Sequence, residues 1–252
     1  MNLNHGLFSV AYGLAAITVG WARGGGWSPV MVFLGLIVAV AVMLPWMRLP
    51  ARNVTEGEIQ TGTLPRVLTW LGGLVVLSAF LGEAASEGWS ALHIERTLGG
   101  GPEDGAMGPA LLGFGMAIGR LGGHFFAGHL PPFRVMIAAS CMAGLGLAMA
   151  GAAPNLPLVY VGFALGGLGV SVVGPLALGM VGQVAPAQLR LKAISQAAAM
   201  GYGAFFIGPV LMGFIAEIYG LRISFVVIAG IMFAVAALLL PMWAVRLKAL
   251  TN

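Results

Sequence analysis

The chain has 252 residues, 59% of them hydrophobic and only 8% charged, with 40 glycines and a net charge of +4. Soluble domains carry about 25% charged residues, so this composition and a mean hydropathy of +0.97 exclude an ordinary water-soluble fold. The basic residues stand singly at the ends of apolar runs, which argues against nucleic acid and for orientation in a membrane. Cys141 is the single cysteine, so no disulfide framework or cysteine-based metal cluster can form within the chain. The opening MNLNH holds no Lys or Arg, so no cleavable signal is expected.

Apolar runs separated by polar breaks predict eight membrane-spanning helices, an all-α integral membrane bundle. In chain order they cover 6–21, 28–46, 66–85, 106–128, 133–152, 156–183, 193–216 and 221–245. The seventh run, AISQAAAMGYGAFFIGPVLMGFIA, has no formal charge. At about 1.5 Å per residue it reaches about 36 Å, enough to cross a hydrocarbon core of about 30 Å. Gly208 and Pro209 sit inside it, tolerable where neighbouring helices re-satisfy the loosened backbone. The polar segment 48–65 is expected to separate two helix groups, 1–47 and 66–252. The stretch 87–104, with three glutamates and Asp104, is expected to be an acidic loop after the third span.

The Lys/Arg distribution tests this segmentation. With the amino terminus in the cytoplasm, that side collects Arg48, Arg52, Arg66, Arg120, Arg134, Arg190, Lys192, Arg246 and Lys248, whereas the other side holds Arg23, Arg96 and Arg222. Nine against three follows the positive-inside rule, with both termini cytoplasmic.

Ionisable residues inside spans are the first functional candidates, because they are costly in lipid and face a cavity or a partner. Glu83 lies seventeen residues past Arg66, about 25 Å along the third span. It reads either as a proton-coupling carboxylate or as a helix-end carboxylate in interfacial water, paired with Arg96. Arg120, on the fourth span, reads either as a solute ligand or as a side chain snorkelling to the inner headgroups. Gly115, Gly119 and Gly123 repeat every four residues on the same span, a small-residue face for helix contact. Tyr202, near the middle of the seventh span, can line a cavity or bond between helices. Ser171 on the sixth span has the same two readings, and Pro175 offers a bend. Ser9 and Tyr12 on the first span are weaker candidates. His5, His93, His124 and His129 have no metal-ligand spacing and are expected at interfaces. Trp89 reads as an interfacial anchor.

Several segments resemble the major facilitator superfamily, specifically its bacterial inner-membrane permeases related to sugar transporters. Gly201-Tyr202, Gly208-Pro209, Gly213, Ala216-Glu217 and Gly220-Leu221-Arg222 are similar to that fold's eleventh helix and its exit. GLGVSVVGP at 167–175 resembles the tenth helix, EAASEGWSALHI at 83–94 the end of the seventh, and HGLFS at 5–9 the start of the fifth. The resemblance implies helices five to twelve of a twelve-helix transporter, with 48–65 as the central cytoplasmic loop. It also implies that the four missing helices come from a longer chain or a partner, or that the chain is a remnant. The family's signature after its eighth helix is altered: Gly119-Arg120 is present, but His124 and Gly128-His129 stand where acidic groups are usual.

The function this predicts is a proton-coupled permease for a small solute such as a sugar or drug-like metabolite, with lipid and solute as its partners. A non-transporting membrane scaffold is the alternative. Catalysis is not expected. Gly169-Val170-Ser171 resembles a rhomboid Gly-x-Ser, but no histidine follows Ser171 to serve as its base. H-E-x-x-H is absent and Asp104 is the single aspartate, so metalloprotease and paired-aspartate schemes fail. No metal or cofactor is implied.

Overall fold

The computed structural model describes residues 2–46, 63–126 and 130–251, and among these there are helices and no strands. The helices are α1 (Asn2–Gly24), α2 (Pro29–Met43), α3 (Arg66–Leu98), α4 (Pro102–Phe126), α5 (Pro132–Ala152), α6 (Leu156–Val184), α7 (Arg190–Tyr202), α8 (Ala204–Ala234) and α9 (Leu240–Thr251). Most of the expected central loop, 48–65, lies outside the described residues.

Local chemistry sets the ends of these helices. Ser28 caps α2, its hydroxyl accepting from Met31 N at 3.4 Å, with Pro29 as the first helical residue. Asn155 caps α6 by accepting from Leu158 N at 3.1 Å. At the end of α3, Gly99 takes a left-handed φ of 73° and the amides of Gly99 and Gly100 turn back to Ile94 O. Glycine pays no Cβ penalty for that conformation.

This ending corrects the expected acidic loop at 87–104. Nothing between Ala85 and Leu98 breaks a helix except the tolerated Gly88, so α3 runs for 33 residues. Glu87, Trp89, His93 and Arg96 are therefore helical, and the loop shrinks to the glycines before α4. Asp104 accepts from Gly101 N at 2.9 Å to start that helix.

The seventh and eighth expected spans also differ in detail. The helix assignment parts at Gly203, although its φ of −55° and ψ of −25° stay in the helical region, so the break is slight. The reversal between the two spans is at Gly220, with φ 80° and ψ 164°. Ser224 Oγ donates to Met212 O at 3.3 Å. In a straight helix, twelve residues would separate these groups by about 18 Å. The returning helix contains a π-helical turn, Val235–Leu239, before α9.

Among the described residues, six helical stretches are long and apolar enough to cross a membrane, 187–249 counting as one; the turn at Gly220 divides that one in two. α4 is long enough but carries Glu103, Asp104 and Arg120, and is not among the six.

α3 lies centrally, against α4, α6, α7 and α8, while α6 packs on α4 and α5 and α1 lies along α4. Glycines allow these approaches. A Cβ on Gly162 would sit 2.6 Å from Ala150 N and 2.8 Å from Gly146 O, so α5 and α6 meet backbone to backbone. In lipid such packing replaces the hydrophobic force between helices. Trp243, Phe163 and Phe225 are the largest fully buried side chains, with Phe163 and Phe225 edge-on to each other at 5.2 Å. α2, by contrast, has no buried residue at all. A fifteen-residue apolar helix with every residue but the half-buried Val32 exposed is stable in acyl chains, not in water.

Candidate functional site

α1 meets α4 through Gly6, Gly13 and Gly20, seven residues apart. Side chains added there would strike Leu121, Phe114 and Ala106 respectively. Ser9 falls in the same stripe, three residues after Gly6, and is fully buried. A polar residue in that stripe has to find its partner on α4.

The partner is Arg120. Its Nη1 donates to Ser9 Oγ at 2.5 Å, while the serine hydroxyl donates to His5 O at 2.9 Å. Nη2 faces both oxygens of Glu83, at 3.2 and 3.3 Å. Glu83 and Arg120 are 8% and 9% exposed, so the pair is shielded and one hydrogen-bonded chain links α1, α4 and α3. Arg120 Nε is buried and has no acceptor among the described residues.

Arg120 is held there by its neighbour. Gly119 presents its missing side chain to Ser171 on α6, and Gly115 does the same to Ala164 O. The next residue after Gly119 is turned about 100° around α4, which aims Arg120 away from α6 and toward α1 and α3. Gly123 has only Val172 nearby, 3.3 Å from a Cβ placed on it.

Two sequence readings need correction. Arg120 does not snorkel to the headgroups, because its Nη1 and Nη2 bond to buried partners inside the bundle. Glu83 does not pair with Arg96, which lies thirteen residues further along the same helix, about 20 Å away. Arg96 instead lines a surface groove of about 400 Å³ with Trp89, Thr97, Gly213, Glu217 and Gly220.

The remaining candidates are dispersed. Ser171 is buried and its hydroxyl donates to Leu168 O of its own helix at 2.6 Å. Tyr202 is 60% exposed and stacks obliquely on Phe80 and Phe205; its hydroxyl makes no hydrogen bond to another helix among the described residues. Pro175 lies within a continuous α6. Gly208 packs against Leu81 and Ala84 of α3, and Pro209 follows it inside α8. His93, expected at an interface, is fully buried between Ala150 O and Thr97 Oγ1, each 3.1 Å away. The His124 side chain and His129 lie outside the described residues. No cluster of metal-ligating side chains occurs among those described.

Sequence reasoning named Ser9, Glu83 and Arg120 separately but did not join them. The seven-residue glycine repeat was the available signal, since it marks the face of α1 that turns Ser9 toward α4.

The profile of the Major Facilitator Superfamily matches residues 73–250, well over half of the chain. The chain belongs to the major facilitator superfamily. It is 30% identical over 246 residues to an uncharacterized MFS-type transporter of Yersinia pestis, covering 92% of this chain and 61% of that protein. It is also 30% identical over 212 residues to an uncharacterized transporter of Sinorhizobium fredii, covering 83% and 55%. The membrane protein MosC of Rhizobium meliloti is 22% identical over 210 residues, covering 82% and 51%. The chain thus spans between half and two thirds of the length of these relatives. Family membership and the apolar helices make it a multi-pass membrane protein.

Proposed function

We propose that the chain forms the greater part of a proton-coupled secondary transporter for a small solute, a sugar or drug-like metabolite, with Glu83 and Arg120 at its working centre. The buried ion pair carries this reading. Desolvating two charges costs several kcal/mol per ion, so a buried pair is weak evidence for a purely stabilising role. Ionisable groups inside membrane bundles characteristically mark solute or proton pathways. A proton or solute arriving at Glu83 would release Arg120 and loosen its hold on Ser9.

On the twelve-helix mapping α1 and α2 are the last helices of the first half, and 66–252 forms the six-helix second half. The bond from Arg120 to Ser9 then crosses the plane along which two halves rock in alternating access. The uncovered surface of α2 supports a further set of helices lying against it, from a longer chain or from a partner. The nine-to-three charge distribution supports a bacterial inner-membrane location with both termini cytoplasmic.

The test is flux from proteoliposomes containing the full chain, monitored by a pH-sensitive dye during addition of candidate sugars and amphipathic metabolites. Solute-dependent proton movement in the native chain that disappears in Glu83→Gln is the expected result. Undiminished coupled flux in that variant would remove Glu83 from the mechanism. Absence of flux under every condition would favour a non-transporting scaffold.

A further inference from the structure

α3 and α8 border a groove of about 400 Å³ at the end of α3 remote from Arg66. That volume falls in the range of small-ligand sites, about 300–1,000 Å³. Its α3 wall is Trp89, Leu92 and Arg96, and its α8 wall is Gly213, Ala216 and Glu217. Each set keeps the three- and four-residue spacing of a single helix face. Gly213 makes room for the indole, since a Cβ placed there would stand 3.4 Å from the Trp89 ring.

Depth in the membrane follows from helix length. Trp89 is about 35 Å along α3 from Arg66, just beyond a hydrocarbon core of about 30 Å. Arg96 is about 45 Å along, the thickness of a bilayer with both headgroup layers. The groove therefore runs from the acyl boundary at Trp89 to the headgroup layer at Arg96.

Its polar ends are Arg96 and Glu217, both exposed. Neither belongs to the ion pairs found among the described residues, Arg23 with Glu95 and Arg120 with Glu83. The Thr97 hydroxyl beside them is taken by His93 at 3.1 Å. One guanidinium and one carboxylate held apart complement a ligand that carries both signs. A phosphate diester suits Arg96, whose fork matches its oxygens, and an ammonium suits Glu217. A purely anionic headgroup would meet Arg96 but be repelled by Glu217.

We propose that this groove binds a zwitterionic phospholipid, its phosphate on Arg96, its ammonium on Glu217 and its upper acyl chain along Trp89 and Leu92. The site is separate from the buried pair and does not depend on the transport reading.

Short-chain phosphatidylethanolamine and phosphatidylglycerol share a phosphate and acyl chains, and only the first carries an ammonium. Equilibrium dialysis against the full chain in a neutral detergent should show saturable phosphatidylethanolamine binding, at least about tenfold tighter than phosphatidylglycerol. Arg96→Gln and Glu217→Gln should each weaken that binding about tenfold. Glu217→Gln should also abolish the preference over phosphatidylglycerol, whereas Glu95→Gln, on α3 outside the groove, should change neither. Glycerophosphoethanolamine, the same head without acyl chains, should bind at least about tenfold more weakly.

Equal or tighter phosphatidylglycerol binding overturns the proposal. So does the absence of saturable binding, the result expected if further protein helices cover the groove. Equal affinity for glycerophosphoethanolamine would assign the groove to a soluble phosphodiester and defeat the lipid reading, and unchanged binding in either groove variant would defeat it as well. Both substituted side chains are exposed, so the variants should fold; the ratio of the two lipids on the native chain decides even if they do not. Glu83→Gln leaves the groove intact, so its lipid preference should persist where coupled flux is lost.

Discussion

Arg23, in the last turn of α1, donates to both carboxylate oxygens of Glu95 on α3, at 2.8 and 3.2 Å. The contact joins residues 72 positions apart and ties α1 to the helix that carries Glu83. It also lies in the open, for the two side chains are 44% and 23% exposed. Its energetic weight differs accordingly from that of the shielded pair. Arg23→Gln or Glu95→Gln should lower stability by less than about 1 kcal/mol, because water and salt screen the charges. Thermal unfolding in detergent at low and high salt checks this, and a large loss that salt does not alter would contradict it.

Breaking the buried pair should behave differently. Arg120→Met alone leaves Glu83 as an uncompensated charge, at a cost of about 3–5 kcal/mol. Joining it with Glu83→Leu should recover most of that loss, since replacing both partners with apolar groups is often neutral or stabilising. Unfolding of the single and double variants measures the coupling. The double variant should regain stability without regaining coupled flux, which separates the pair's function from its contribution to the fold.

The α5–α6 contact predicts opposite outcomes for two alanine substitutions on one helix. Gly162→Ala places a methyl 2.6 Å from Ala150 N, and overpacking against backbone should cost about 1–3 kcal/mol. Gly179→Ala has nothing within 4 Å and should be neutral or slightly stabilising, as alanine exceeds glycine by up to about 1 kcal/mol in a helix. Melting temperatures of the two variants would expose the packing as wrong if they moved together.

His93 is enclosed by groups on α3 and α5. If its Nε2 carries the proton, the ring donates to Ala150 O and accepts from Thr97 at Nδ1. His93→Leu should leave Ala150 O with only the long bond from Ala153 N at 3.4 Å and deprive the Thr97 hydroxyl of its partner, costing about 1–3 kcal/mol. Denaturant titration in mixed micelles measures it; a neutral result would mean that the imidazole contributes nothing to stability through these two contacts.

Ser171→Ala and Tyr202→Phe should leave flux unchanged. The first hydroxyl is used within its own helix, and the second makes no hydrogen bond among the described residues. Stability should move by no more than about 0.5 kcal/mol. A loss of flux in either variant would return that residue to the solute pathway.

Much of this protein could be read from composition and periodicity. Hydrocarbon demands long apolar helices, so the solvent, the helical class and most span boundaries follow from local composition. Even the glycine spacing at 115 and 119 marks a contact face before any contact is known. What a one-dimensional reading could not supply is where α3 ends and whom its charges meet. Three glutamates after Ala85 look like solvated loop, but helix continuation is set by the absence of a breaker, and the first effective one is Gly99. The destination of Arg120 is likewise a tertiary fact. Whether an arginine reaches headgroups or a carboxylate depends on how neighbouring helices rotate and how closely they approach. Here Gly119 against Ser171 and the repeat at Gly6, Gly13 and Gly20 set those rotations, bringing Ser9, Glu83 and Arg120 together from three helices.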